Sequence, residues 1–229
     1  ITTETTNPTN ANLITYTIEA SEKVVGCEET DIIVNNGTIK EVIVVEEGRK
    51  YTVKVETVPV SIGNQEEVKL ILEEGICKDL VGRDNVRAEH VTIIDKKAPE
   101  VTITSDKEYV KANEDITYTL TWSEEVVEFT EEDITVNNGT KGTFAGEGNK
   151  YTLVVRPTGE NDVEVVVDKD ATTDVAGNNN IASAKNIIPV IPTVVITKNT
   201  SNPTNESEIT YTFTWNETVV GFDISDILL

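Results

Sequence analysis

Oxygen-bearing side chains crowd one short stretch of this chain. Asp168, Asp170 and Asp174 fall within seven residues, followed by Gly177 and the asparagines at 178–180. Hard divalent cations take six to eight oxygens from carboxylates and from the carbonyls of irregular loops. The stretch is therefore a candidate calcium loop. Its spacing is not that of an EF-hand, because the glycine and the closing glutamate are misplaced. Asp95 is a further candidate: an ion shared between it and the loop acids of a neighbouring unit would lock the proline-bearing junction at 95–99. The competing reading is a solvated loop in which Asp174 caps a turn.

Two cysteines, Cys27 and Cys77, are a poor zinc set with no histidine near them in sequence. An intradomain disulfide is the preferred reading, two buried thiols the other. Closing that loop would stabilise the fold by about 4 kcal/mol in the chain-entropy model, and a disulfide implies an oxidising compartment. Asn36, Asn138, Asn199, Asn205 and Asn216 each open an Asn-x-Ser/Thr sequence and are candidate N-glycosylation sites. The single histidine, His90, is read as an exposed strand residue. No nucleophile elbow, phosphate-cradling loop or His/Cys metal spacing occurs, so the chain is expected not to be an enzyme. Tyr109 is the one aromatic left over as a sugar-stacking candidate.

Net charge is −22, divided as −7 over residues 1–98, −11 over 99–189 and −4 over 190–229. A field of that sign repels nucleic acid and anionic membranes, and neither is expected as a partner. No apolar run approaches the ~20 residues that span a bilayer. With no Met anywhere and Ile1 at its start, the chain is expected to be a piece of a longer precursor.

The elements that must position these residues are strands. Ile-Thr-Tyr-Thr occurs at 14–17, 116–119 and 209–212, and Tyr16, Tyr118 and Tyr211 are spaced by 102 and 93 residues. Each copy opens a longer match, so the chain reads as an array of one small domain. From Ile116, apolar Ile116, Tyr118, Leu120 and Trp122 alternate with polar residues. That period of two is a half-buried strand, repeated by Ile14, Tyr16, Ile18 and Ala20 and by Ile209, Tyr211, Phe213 and Trp215. Cys27 aligns with Phe129 and Phe222 and is expected to point inward. Asp31–Thr38 and Asp133–Thr140 share seven of eight residues and end in Asn-Asn-Gly-Thr. Asn-Gly there predicts a type I′ hairpin turn. No segment of ten residues has helical periodicity, and turn signals recur every 8–12 residues, the pattern of an antiparallel sandwich.

Prolines after the closing strands place short stiff linkers at 95–99 and 188–192. The expected division is residues 1–98, 99–189 and a partial copy at 190–229, carrying only the first strands. These residues resemble the bacterial Ig-like repeats of large surface and adhesin-type proteins. The likeness rests on Ser123-Glu124-x-Val126, Phe129, Asp133-Ile134, Asn138-Gly139, Tyr151-Thr152, the Val-Val-x-Pro ending at Pro157, and Asp174-x-Ala-Gly-Asn178. It covers the second copy throughout and the first half of the third. The first copy departs from it at Cys27 and at Arg83-Asp84.

The resemblance implies an all-β fold of tandem immunoglobulin-like β-sandwiches, two complete and one partial, in an extracellular stalk or adhesive array on a cell surface. The expected role is a non-catalytic, semi-rigid spacer whose partners are neighbouring repeats. Two alternatives are a filament subunit completed by strand addition from another copy, and a module that binds a carbohydrate or a host protein. No cofactor is expected beyond calcium.

Overall fold

Alternation of apolar and threonine side chains gives every long segment one face to bury and one to leave wet. The computed structural model describes residues 1–58 and 65–228; residues 59–64 and Leu229, the last position of the expected third copy, lie outside the described residues. The first strands are β1 (Thr2–Thr3), β2 (Leu13–Glu19), β3 (Val24–Val25), β4 (Ile32–Asn35) and β5 (Gly37–Glu46). They are followed by β6 (Lys50–Thr57), β7 (Gln65–Leu72), β8 (Lys78–Asp79) and β9 (Ala88–Asp95). Next come β10 (Val101–Ser105), β11 (Val110–Lys111), β12 (Ile116–Trp122), β13 (Val126–Val127) and β14 (Ile134–Asn137). The chain continues with β15 (Gly139–Glu147), β16 (Lys150–Pro157), β17 (Val163–Val167), β18 (Thr173–Asp174) and β19 (Asn186–Ile188). It finishes with β20 (Val190–Ile191), β21 (Val194–Lys198) and β22 (Tyr211–Trp215).

The sheet order recurs. One four-stranded sheet runs β1-β2-β6-β5 and another β10-β12-β16-β15; the three-stranded sheets run β4-β7-β9 and β14-β17-β19. Short ladders β3-β8 and β13-β18 correspond as well, and β21-β22 repeats the pairing of β10 with β12. Among the described residues there is no α-helix, only three single 3-10 turns at 29–31, 131–133 and 224–226. Each is closed the same way: the carboxylate of Asp31, Asp133 or Asp226 accepts from the backbone N–H three residues earlier.

By backbone contacts the chain forms two compact units. One holds residues 1–99, 125–128 and 172–180; the other holds 100–124, 129–171 and 181–229. The expected segments 1–98, 99–189 and 190–229 divide the chain by sequence copy, the two units by contact.

In the first unit Ile14, Tyr16, Val53 and Val55 meet Val68, Leu70 and Ile94 of the facing sheet in one buried cluster. In the second, Ile116, Tyr118, Leu120, Leu153 and Val155 are buried, as are Val163, Val165 and Val167 from the three-stranded sheet. Each such side chain stabilises the fold by roughly 1.5–3 kcal/mol relative to exposure. An aromatic group closes one end of the second core. Phe129 lies edge-on to Trp122 at 5.1 Å and to Tyr151 at 5.0 Å, and Phe144 stacks on Tyr151 at 5.5 Å. The first unit has a Cys27–Cys77 disulfide near its corresponding end, with the Cα atoms 4.9 Å apart.

The hairpin expected at Asn-Gly is a sheet crossing instead. β4 and β5 lie in different sheets, and so do β14 and β15. Only the second asparagine takes the left-handed region, with φ 57° at Asn36 and 58° at Asn138. Glycine follows because its backbone presses on the core: a Cβ on Gly37 would sit 2.7 Å from Val55 Cγ1, and one on Gly139 2.5 Å from Val155 Cγ1. The residue types of a hairpin thus serve a tight step from one layer to the other.

The paired tyrosines differ in one bond. Tyr16 Oη donates to Thr92 Oγ1 at 2.9 Å, deep in the core. Val68 faces Thr92 across the sheet, whereas the matching Val163 faces Ile188. Tyr118 Oη is accordingly buried with no hydrogen-bond partner among the described residues. Burial first, and the nearby Asp106 charge second, push the Tyr118 hydroxyl pKa up to about 12.

Two outcomes follow from this core. Tyr16→Phe removes a satisfied hydrogen bond and is expected to cost the first unit about 0.5–1.5 kcal/mol, while Tyr118→Phe is neutral or stabilising in the second; chemical denaturation of each variant measures the contrast. Replacing Cys27 and Cys77 by Ser is expected to lower the stability of the first unit by about 2–4 kcal/mol and to leave the second unit's transition in place, read by calorimetry with and without reductant.

Candidate functional site

Two loops share one shape because the same residue types force it. In each, an aspartate carboxylate reaches forward over a tight turn. Asp79 Oδ1 accepts from the backbone N–H groups of Val81 and Arg83, both at 2.9 Å, and Oδ2 accepts from Arg83 Nε at 2.5 Å. Asp174 Oδ1 accepts from Asn178 N at 2.8 Å and Oδ2 from Asn178 Nδ2 at 2.9 Å. Gly82 and Gly177 both sit at positive φ, 92° and 90°, where a side chain would be strained. Arg83 therefore stands where Asn178 does. The Arg83 N–H, followed by the guanidinium and Val81 N–H, outweighs burial and holds the Asp79 carboxyl below its ordinary pKa.

The loop at 172–180 belongs to the first unit and is tied there by polar contacts across long stretches of sequence. Asn10 N donates to the Ala176 carbonyl at 3.0 Å, and Asn10 Nδ2 to the Gly177 carbonyl at 2.6 Å. Asn178 Nδ2 also donates to the Asp95 carbonyl at 3.0 Å. Thr172 Oγ1 donates to the Val127 carbonyl at 2.7 Å, and Asn180 Oδ1 accepts from Thr172 N at 2.9 Å. Nearby, Lys96 Nζ donates to the Asn10 carbonyl and, at 2.9 Å, to Asn12 Oδ1. Its partial burial moves the ammonium pKa downward.

Asp95 and Asp174 come together here. Each is 3% exposed, and their carboxylates offer oxygens within 4.8 Å of each other. Gln65 Nε2 donates to Asp95 Oδ2 at 2.6 Å and Lys97 N to Asp95 Oδ1 at 2.9 Å. Two carboxylates give part of the six to eight oxygens a calcium ion takes. Asp168 and Asp170 are exposed and outside this pair: Asp168 Oδ2 accepts from Thr135 Oγ1 at 3.2 Å, and Asp170 lies 3.6 Å from Lys169 Nζ.

The other singled-out residues are dispersed. Asn36 Nδ2 donates to the Glu67 carbonyl and Asn138 Nδ2 to the Asp162 carbonyl, so the nitrogen a glycan would take is engaged at both sheet crossings. Asn199, Asn205 and Asn216 are exposed. Tyr109 is 56% exposed. His90 is half-buried rather than exposed, because the Tyr16 ring lies edge-on to it at 5.7 Å. Sequence reading missed Asn10. No local signal announces it, since its partner is 167 residues away.

Among the described residues no helix is long and apolar enough to cross a membrane. No curated protein and no solved structure shows a significant match to the chain. The family model of the bacterial Ig-like domain matches residues 95–190. That span takes in the sheets β10-β12-β16-β15 and β14-β17-β19, the Asn138-Gly139 crossing and the Asp174 loop. Over residues 95–190 the chain is similar to the bacterial Ig-like domain family.

Proposed function

We propose that the chain is a non-catalytic, semi-rigid spacer in an extracellular stalk, holding other parts of a larger surface assembly at a distance. A bacterial Ig-like domain is a structural or adhesive module, and the spacer is the finer reading. The observation that carries it is the repeated sheet order, β1-β2-β6-β5 with β4-β7-β9 and then β10-β12-β16-β15 with β14-β17-β19, in a chain where proline follows each closing strand. Proline fixes φ in the short linkers at 95–99 and 188–192, which favours a stiff connection over a flexible tether.

Divalent cation binding through Asp95 and Asp174 would stiffen the first unit, by relieving the repulsion of two buried like charges. Partners on this reading are neighbouring modules, and the acidic surface keeps them apart in solution.

Nitroxide labels on exposed Thr38 and Glu147 test the stiffness. A single narrow distance peak is expected. A broad distribution in the unmodified chain would refute the spacer. Melting in calcium and then in chelator tests the ion: a rise of several degrees that Asp95→Asn abolishes is expected, and a shift under about 1 °C speaks against a structural ion.

A further inference from the structure

The second core is stoppered by four aromatic rings, and the first is not. Register and alignment place Ala20 at the position of Trp122, Cys27 at that of Phe129 and Val42 at that of Phe144, leaving only Tyr51 to match Tyr151. Small side chains cannot fill the volume the rings occupy. Trp122, Phe129 and Tyr151 are buried, but Ala20, Cys27 and Tyr51 are only half-buried. What remains in the first unit is a partly open cavity of about 740 Å³ floored by these residues and the disulfide. That size lies within the range of small-molecule sites, roughly 300–1,000 Å³.

Its rim is predominantly acidic. Seven carboxylates line the cavity against the guanidiniums of Arg49 and Arg83. Arg83 is already committed to Asp79 at 2.5 Å and faces Glu22 at 3.7 Å. Glu29 and Glu47 have no ion pair among the described residues. An apolar floor under an acidic rim selects an apolar body that carries positive charge. The field at the mouth concentrates cations, and the floor rewards the removal of hydrocarbon from water.

We propose that this cavity binds a small amphipathic cation, an apolar group of drug-like size bearing one ammonium or guanidinium. The apolar part lies against Val42, Tyr51 and the disulfide, and the cationic head lies at the acidic rim, to which Glu29 and Glu47 contribute. This role is additional to the spacing function and independent of it. The second sandwich carries its own aromatic stopper at that end.

Calorimetric titration of the full chain with octyltrimethylammonium, kept below its micelle concentration, tests the assignment. One saturable site is expected, at least tenfold tighter than for octyl sulfate or octyl glucoside and weakening as salt is raised. Ala20→Trp with Val42→Phe should restore the stopper and abolish binding. Glu29→Gln with Glu47→Gln, surface changes that spare the core, should bring the ammonium close to the neutral glucoside. Equal binding of the sulfate overturns the proposal. So does binding that survives the stoppered variant, or sedimentation showing the cavity covered by a second copy of the chain. If the stoppered variant fails to fold, the charge variant and the three head groups decide the matter on their own.

Discussion

Two small sheets have to share a single layer of side chains. Neither a three-stranded nor a four-stranded sheet can bury both its faces, so stability depends on each inward residue finding a partner across the gap. The Ile14–Tyr16–Val53–Val55 face against Val68, Leu70 and Ile94 is the first instance. The Asn36-Gly37 and Asn138-Gly139 steps exist to serve this constraint. They carry the chain from one layer to the other with no room for a side chain at the glycine. The Asp-capped 3-10 turns before them aim the chain into the step.

Given one shared layer, the ends of the core become the place where copies diverge. The second sandwich closes an end with Trp122, Phe129, Phe144 and Tyr151, whose edge-on and stacked contacts are worth about 0.5–1.5 kcal/mol per pair beyond burial. The first has a covalent link there. A cross-link acts mainly by restricting the unfolded chain, so it can hold the fold without filling space. One substitution of strategy, rings for sulfur, explains both the cavity and the lower burial around it.

Much of this was legible in sequence, because period-two alternation is a local signal. The inward faces of β2, β12 and β16 lie where the alternation put them. The Asp174 turn is one of the two local readings of its stretch, since Asp, Gly and Asn at those offsets favour turns. The Asn-Gly step was misread: a left-handed residue followed by glycine is compatible with a hairpin and with a crossing, and only the neighbouring valines decide. His90 looked exposed because nothing near it in sequence reveals the Tyr16 ring. The fastening of Asn10 to Gly177 lay beyond reach for the same reason, being a contact between residues with no local pattern in common.

The disulfide also sets a limit on how far the first sandwich can lengthen. Its outermost strand β1 is held to β2 at only two residue pairs, whereas β10 is held to β12 at five. Pulled from its ends, the first sandwich would begin to peel sooner. Cys27 and Cys77 are 50 residues apart, and the loop between them stays closed. At about 3.4 Å per extended residue, roughly 170 Å of contour is withheld from release. The weaker module is thus also the one that runs out of slack early.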